Sequence, residues 1–227
     1  MSVWHRRTPV DPVRFTTSDG VVLEGELRAP DGDPIGTAVI CHADPQRGGS
    51  KDHPLLWAIR NELATRRGLV VLGFNFRGVM ASEGTHGSGK GELADVAAAV
   101  DRVRKEAEGP TLLVGWSFGA NASLRYALTD DRVSALALIG MPLAETPTIR
   151  RVPELSSRAE LAALDAPVLL IAGEADPVCP APDLRRLERN LPNAELMVVP
   201  DTDHFFWRRE GEVAAATGQF ADRSFRA

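Results

Sequence analysis

Short apolar runs alternate with longer amphipathic segments over most of this chain. The apolar runs predict buried strands near residues 37–41, 68–74, 111–115, 134–140, 167–172 and 195–199, and the other segments predict helices near 53–66, 90–107, 118–129 and 181–191, with one more helix after the last strand. Strands and helices that alternate in this way form a mostly parallel, twisted sheet with helices on both faces. The sequence therefore predicts an α/β fold.

The amino-terminal segment follows a different pattern. Residues 13–17 and 21–27 are separated by the turn sequence Ser18-Asp19-Gly20, which predicts an antiparallel hairpin ahead of the parallel sheet. The chain has 227 residues, of which 44% are hydrophobic, and it contains no repeat or linker. We therefore expect one domain, residues 1–227, with a full hydrophobic core.

The stretch Gly-Trp-Ser-Phe-Gly at 115–119 carries the strongest chemical signal. It follows an apolar run and leads into a predicted helix, which is the context in which G-x-S-x-G forms a nucleophile elbow. The turn is so sharp that a side chain at Gly115 or Gly119 is expected to collide with the opposite limb. Ser117 is thus predicted to lie at the tip of a strand, where a substrate reaches it.

A serine hydroxyl needs a base, and the base needs an orienting carboxylate, before the serine acts as a nucleophile. Asp176 follows the predicted strand at 167–172, and His204 follows the one at 195–199, where it opens the predicted last helix. Loops at the carboxyl ends of parallel strands emerge on one side of a sheet. We therefore expect Ser117, Asp176 and His204 to converge as a catalytic triad.

Each of these residues also has a simpler interpretation. Asp176 precedes a proline and could be only a turn residue, and His204 could be only the first residue of a helix capped by Asp203. Glu174, Asp201 and Asp203 compete as carboxylate partners of the histidine. We favour Asp176, because Glu174 is close to its strand and the two other aspartates are too near the histidine in sequence to face its ring.

Motifs spread over nearly the whole chain resemble those of a known superfamily. They are Val39-Ile40-Cys41-His42, Gly48-Gly49, residues 74–78 with 81–84, the elbow, residues 173–178 and residues 203–206. On these motifs the chain resembles the α/β-hydrolase superfamily and, within it, the small lidless bacterial branch related to dienelactone hydrolases and short-chain esterases. The resemblance implies that the sheet predicted above carries a minimal cap or none.

The resemblance also implies an oxyanion hole, the pair of backbone donors that holds the charge developing on a carbonyl oxygen. One donor is the N–H of Phe118, the residue after the nucleophile. The other is expected in the loop His42-Ala43-Asp44-Pro45: it is the Asp44 amide, with Ala43 as the fallback, because proline has no N–H. The carboxylate of Asp44 would repel an oxyanion unless it points away.

The substrate pocket is expected beside these groups. Its predicted side chains are His42, Trp116, Met80, Met141 and Phe205. Met80 stands where the superfamily usually has a glycine, and we interpret it as filling space in the pocket wall. The aromatic residues near the triad are expected to line an apolar acyl pocket, although some of them must belong to the core.

The stretch 141–165 determines how large a lid the site can have. It has room for a loop and one short helix, so we expect an open site. Arg150 and Arg151 lie in this stretch and could bind an anionic substrate, but a solvated pair on a loop is the favoured interpretation.

Two rival motifs predict other chemistry. Residues 84–90 match the G-x-x-x-x-G-K half of a phosphate-binding loop, but Gly91 stands where a serine or threonine should follow, and the segment begins well after its strand ends. We interpret it as a loop leading into the helix from Glu92. The metal-capable side chains His42, Asp44, Asp52 and His53 match no zinc spacing. We therefore expect neither a metal nor a cofactor.

Composition limits the kinds of binding partner and the cellular compartment that we expect for this protein. The chain has 26 basic and 31 acidic residues, a net charge of -5 and no basic block, which argues against nucleic acid as a partner. No apolar run is long enough for a signal peptide or a membrane span, and Cys41 and Cys179 form no disulfide framework. We predict a soluble cytoplasmic protein that acts on a small-molecule acyl substrate, with its oligomeric state left open.

The expected activity is hydrolysis of an ester or thioester of a small acyl group through Ser117, His204 and Asp176, with an acyl-enzyme intermediate. Peptidase and C–C hydrolase activities use the same residues and stay open, because fold and triad do not fix the acyl group. The opposing class is a hydrolase-shaped binding or scaffold protein that has lost catalysis.

Overall fold

The computed structural model describes residues 10–145, 152 and 156–226. The strands are β1 (Val10–Thr16), β2 (Val22–Arg28), β3 (Gly36–Cys41), β4 (Leu69–Phe74), β5 (Thr111–Trp116), β6 (Ala135–Ile139), β7 (Val168–Gly173) and β8 (Ala194–Val199). The helices are α1 (Pro54–Arg67), α2 (Gly91–Val103), α3 (Phe118–Ala127), α4 (Arg158–Ala162), α5 (Ala181–Glu188) and α6 (Glu210–Ser224), and a 3₁₀ turn spans Pro45–Arg47. In this part of the chain no helix is both long enough and apolar enough to cross a membrane.

All strands belong to one sheet, in the order β1-β2-β4-β3-β5-β6-β7-β8. β1 pairs antiparallel with β2, and β2 pairs antiparallel with β4. The remaining pairs are parallel. The predicted hairpin and mostly parallel sheet are thereby confirmed, and each predicted buried strand forms within one residue of its expected bounds.

Apolar layers cover both faces of the sheet, as the alternation of elements predicts. Leu113 of β5 packs in the layer beneath α2, α3 and α5, whereas its neighbours Leu112 and Val114 pack in the layer beneath α1 and α6. Successive side chains of a strand point to opposite faces, so a strand buried on both faces has no polar alternation. Burial of one leucine contributes about 1.5–3 kcal/mol, and these layers fix the helices to the sheet.

The last helix begins later than the sequence predicts. Its first residue is Glu210, so His204 lies in the loop after β8 and not at a helix start. Phe206 and Arg208 have φ values of 56° and 66°, and a right-handed helix cannot include such left-handed residues. Asp203 is therefore no helix cap; its Oδ1 accepts a hydrogen bond from the N–H of Phe205 at 2.9 Å.

The connection between β6 and β7 contains one short helix among its described residues, α4. The helix begins with a capping box in which Ser157 Oγ accepts from the Glu160 N–H and the Glu160 carboxylate accepts from the Ser157 N–H. This agrees with the expected loop and short helix. Arg150 and Arg151 lie outside the described residues, so their role stays a prediction.

The first turn of α3 lies directly against the end of β3. A Cβ atom at Gly119 would lie 2.3 Å from the carbonyl oxygen of Cys41 and 2.5 Å from that of His42. A Cβ atom at Gly115 would lie 2.4 Å from the Gly119 carbonyl oxygen. The predicted collision with the opposite limb of the turn is thus confirmed for Gly115, whereas position 119 requires glycine because of β3.

We predict that Gly119→Ala lowers the free energy of unfolding by about 1–3 kcal/mol, because the added methyl group overpacks against fixed backbone. Gly211→Ala, in α6, is the matched control: apart from its chain neighbours and the backbone of its own helix, no atom lies within 4 Å of its Cβ position. The control should be neutral or more stable by up to about 1 kcal/mol. Urea denaturation measures both variants, and a Gly119→Ala protein as stable as the wild type would contradict the contact.

Candidate active site

Ser117 occupies a strained turn between β5 and α3. Its φ is 57° and its ψ is -118°, a conformation that residues with a side chain rarely adopt. Its N–H donates to the carbonyl oxygen of Ile139 in β6 at 2.8 Å, which ties the turn to the sheet. The structure therefore holds the serine in the conformation expected of a nucleophile elbow.

A continuous hydrogen-bonded chain joins Ser117, His204 and Asp176. Nε2 of His204 lies 2.9 Å from Oγ of Ser117, and Nδ1 of the same ring lies 2.8 Å from Oδ2 of Asp176. If Nδ1 carries the proton and donates it to the carboxylate, Nε2 is free to accept the serine hydroxyl. The three side chains expected to converge are thus linked through His204, which lies within hydrogen-bond distance of both Ser117 and Asp176.

The carboxylate of Asp176 is fully buried, and protein groups supply its hydrogen bonds. Its Oδ1 accepts from the N–H of Val178 at 2.8 Å and from that of Cys179 at 2.9 Å, while Oδ2 faces the His204 ring. Three donors offset the loss of hydration that burial of a charge causes. The loop after β7 thereby presents this carboxylate in a fixed direction.

Two of the three competing carboxylates accept hydrogen bonds from nearby backbone N–H groups. Oε2 of Glu174 accepts a hydrogen bond from the N–H of Asp201 at 3.1 Å. Oδ1 of Asp203 accepts one from the N–H of Phe205, two residues further along the chain. Asp176 is the carboxylate that the ring of His204 contacts.

Two residues determine the position of His204, one by leaving space for its ring and one by a hydrogen bond, and neither was predicted to do so from the sequence. Gly140, directly after β6, has φ 53°, and a Cβ there would lie 3.2 Å from both Cε1 and Nδ1 of the His204 ring. Nε1 of Trp116 donates to the His204 carbonyl oxygen at 3.1 Å. A glycine at a strand end was the available sequence signal for the first; the second depends on tertiary packing.

His42 anchors the loop after β3. Its Nε2 accepts from the N–H of Phe76 at 3.0 Å, and Nδ1 donates to the carbonyl oxygen of Ala43 at 2.6 Å. Burial lowers the pKa of His42 to about 4, so the ring is neutral at pH 7. Because C=O and N–H of a trans peptide point in opposite directions, fixing the Ala43 carbonyl turns the Asp44 N–H away from the His42 ring.

The carboxylate of Asp44 turns back on its own loop. Its Oδ1 accepts from the Gln46 N–H at 2.8 Å, which caps the 3₁₀ turn, and its Oδ2 lies 3.6 Å from Nε of Arg47. These contacts offset part of its negative charge within the loop. Phe118 is the first residue of α3, so its N–H has no partner inside the helix.

A cavity of about 600 Å³ opens at these groups. Its walls include Ala43, Asp44, His53, Trp116, Ser117, Pro177, His204 and Phe205. The volume lies within the range of about 300–1,000 Å³ typical of small-molecule sites. The described residues therefore leave room at Ser117 for a small substrate.

The five side chains predicted for the pocket divide into two groups. Trp116 and Phe205 line the cavity. His42 and Met141 are buried outside it, and Met80 lies on the surface with 75% of its area exposed. The space-filling role predicted for Met80 is therefore wrong. Its φ of 51° is the left-handed conformation that favours glycine, which agrees with the glycine expected at this position from the superfamily.

His53 is a cavity residue that the sequence analysis considered only as a metal ligand. It caps α1 by accepting from the Leu55 N–H at 3.3 Å, and its ring centroid lies 4.2 Å from that of Trp116. Burial lowers the pKa of His53, and the nearby Glu210 opposes this effect. Its position depends on the packing of α1 against β3 and β4, for which no short sequence signal exists.

The loop that resembles a phosphate-binding motif binds a carboxylate of this chain. The N–H groups of Gly87 and Gly89 donate to the two carboxylate oxygens of the fully buried Glu92, at 2.7 and 2.8 Å. The backbone donors that would bind a phosphate thus bind a side chain of the chain itself. Within the described ranges, no group of three or more His, Cys, Asp or Glu side chains is placed to hold a metal ion.

Comparisons with known proteins agree with this fold. A family model described as "Alpha/beta hydrolase domain" matches residues 38–223. Uncharacterized protein RP471 of Rickettsia prowazekii is 25% identical over 191 residues, which cover 81% of this chain and 77% of that protein.

Solved structures are similar over almost their whole length. XC6422 from Xanthomonas campestris, described as a member of the a/b serine hydrolases without lid, has a TM-score of 0.80 at 25% identity, covering 98% of this chain and 99% of that one. An alpha-beta serine hydrolase homologue from Coxiella burnetii has a TM-score of 0.80 at 25% identity, covering 95% and 98%. The resemblance to the superfamily, and to its small lidless bacterial branch, is confirmed.

The low pKa of His42 predicts a specific pH dependence of stability. The unfolded chain protonates this ring near pH 6.5 and the folded chain only near pH 4, so the unfolded state binds more protons between these values. The free energy of unfolding should therefore fall as the pH decreases from 6.5 to 4, with about 3 kcal/mol of the loss due to this group. His42→Gln, which cannot titrate, should lack that part.

Denaturation of both proteins at a series of pH values measures the effect, and the difference between their pH profiles removes the contribution of the carboxylates common to both. Parallel profiles would show that His42 is protonated as easily in the folded as in the unfolded chain.

Proposed function

Because the chain belongs to the alpha/beta hydrolase family, we propose that it hydrolyses carboxylic esters or thioesters of small acyl groups by serine catalysis. Family membership supports hydrolase activity in general. The observation that carries the finer proposal is the chain of contacts from Ser117 through His204 to Asp176, at 2.9 and 2.8 Å, at the cavity.

In the first step Oγ of Ser117 attacks the carbonyl carbon of the substrate while Nε2 of His204 takes the hydroxyl proton. The imidazolium that forms is stabilised by Asp176, whose carboxylate accepts the Nδ1–H. Since Asp176 already has two amide donors on its other oxygen, the side chain needs no rearrangement when the histidine becomes charged. Little reorganisation means a lower barrier.

The negative charge on the carbonyl oxygen is proposed to lie between the amides of Phe118 and Asp44. As the first residue of α3, Phe118 has an N–H without a partner inside the helix. The anchoring of the Ala43 carbonyl by His42 supports Asp44 rather than Ala43 as the second donor. The carboxylate of Asp44 is held by Gln46 and Arg47, which supports a competent oxyanion hole despite its charge.

The tetrahedral intermediate then collapses. Nε2 of His204 returns the proton to the leaving oxygen or sulfur, and an acyl-enzyme stays on Ser117. A water molecule, deprotonated by the same nitrogen, attacks the acyl carbon. The bond from that carbon to Oγ of Ser117 then breaks, Nε2 returns the proton to Oγ, and the acid is released. The cavity of about 600 Å³ supports a small substrate.

We expect Ser117→Ala to lower kcat for p-nitrophenyl acetate by a factor of about 10³–10⁶, because the covalent route is removed. Asp176→Asn should lower it by about 10⁴-fold, because the amide no longer fixes the histidine tautomer. Ser18→Ala, at the exposed turn between β1 and β2, is the matched serine control and should keep the wild-type rate.

A fluorophosphonate probe separates catalysis from mere binding, because it labels only an activated serine. Labelling of the wild type and of Ser18→Ala, but not of Ser117→Ala, is the expected pattern. A wild-type protein that is not labelled, or a Ser117→Ala protein with full esterase activity, would instead favour a hydrolase-shaped binding protein or a different nucleophile.

A further inference from the structure

A group of aromatic rings lies beside His204 at the cavity. The ring centroid of Phe205 lies 5.9 Å from that of His204 and 6.1 Å from that of Trp116. Trp207 continues this surface outward: its ring is inclined by only 17° to that of Phe205, with centroids 6.3 Å apart. We refer to Phe205 and Trp207 together as the aromatic ledge.

The ledge is held from behind and open in front. The ring of His53 lies 5.3 Å from Trp207 and 4.2 Å from Trp116, so packed rings support it. In front, 46% of the area of Phe205 and 52% of that of Trp207 are exposed. When a ligand covers a large apolar surface that is in contact with water, the free energy of the system falls, which favours binding.

The proposed reaction fixes which part of a substrate meets the ledge. Nε2 of His204 must give its proton to the leaving oxygen, which therefore lies about 3 Å from it in the reacting complex. Phe205 follows His204 in the chain, and their rings are neighbours. A group attached to the leaving oxygen thus begins next to Phe205, whereas the carbonyl oxygen lies at the amides of Phe118 and Asp44.

We infer that the aromatic ledge is a binding site for the alcohol part of the substrate, and that esters of arylmethanols or other flat aromatic alcohols are the preferred substrate class. The inference rests on the proposed function and adds the side of the ester that carries the ring. A flat aromatic ring can lie against the two nearly parallel rings of the ledge. Such aromatic pairs interact through their quadrupoles, and this adds to the binding free energy that comes from the buried area alone.

Two matched pairs of esters test the inference. Benzyl acetate and cyclohexylmethyl acetate share the acyl group and differ in whether the six-membered ring of the alcohol is flat. After each kcat/KM is divided by the rate constant of hydroxide-catalysed hydrolysis, benzyl acetate should be favoured by about 3- to 10-fold. Methyl phenylacetate and methyl cyclohexylacetate carry the same rings on the acyl side, and their ratio should be near one.

Variants show whether the ledge causes the preference. Phe205→Leu and Trp207→Leu should reduce the benzyl to cyclohexylmethyl ratio towards one, since each removes one aromatic ring and keeps an apolar side chain. Trp57→Leu is the control: this tryptophan is also half exposed, at 50%, but among the described residues it neither lines the cavity nor has its ring in contact with Phe205 or Trp207, so the ratio should stay at the wild-type value.

The outcomes distinguish this inference from the proposed function. Hydrolysis that depends on Ser117 but shows no preference for the benzyl ester, or a preference confined to the acyl pair, overturns the inference alone. A benzyl preference that survives in both ledge variants also overturns it. If neither acetate is hydrolysed in a Ser117-dependent way, the proposed function fails and the inference fails with it.

Discussion

The contact between the first turn of α3 and the carbonyl groups at the end of β3 and directly after it is the constraint on which the site depends. With glycine at 119, the backbone of the helix approaches the oxygens of Cys41 and His42 more closely than any side chain would permit. This contact brings the Phe118 amide beside the loop that carries Asp44. It also holds the turn in which Ser117 has a positive φ, a conformation that costs of order 1–3 kcal/mol and persists only where the surroundings impose it.

The rest of the site uses the geometry of the parallel sheet. Ser117, Asp176 and His204 follow β5, β7 and β8, and the carboxyl ends of these strands lie at one edge. The glycine after the intervening strand β6, Gly140, leaves room for the His204 ring to lie across that strand end and reach both partners. The parallel sheet thus brings the three loops to one edge, and the glycine after β6 leaves the space that the histidine ring occupies.

Much of this arrangement could be predicted from the sequence because its signals are local. Apolar runs define the strands, and the pattern around Ser117 defines the elbow by its own spacing. The start of α6 was misplaced because two left-handed residues, Phe206 and Arg208, interrupt the chain after His204, and neither is a glycine that would signal such a turn. Nothing in the sequence indicated that His53 lines the cavity, and Met80 was wrongly placed in the pocket wall, because whether a side chain enters a cavity depends on elements distant in sequence.

Position 44 shows why an unexpected side chain does not by itself argue against a catalytic role. The proposed contribution there is a backbone N–H, whose direction is set by the bond from His42 to the Ala43 carbonyl and not by the side chain of Asp44. The side chain only has to avoid the substrate, and the Gln46 amide and Arg47 hold its carboxylate within the loop. The same principle operates in the loop at 84–90, where backbone donors bind the buried Glu92. Side-chain motifs alone therefore do not show whether a backbone N–H is free to bind a substrate, as proposed at Asp44, or already bonded within the chain, as in the loop at 84–90.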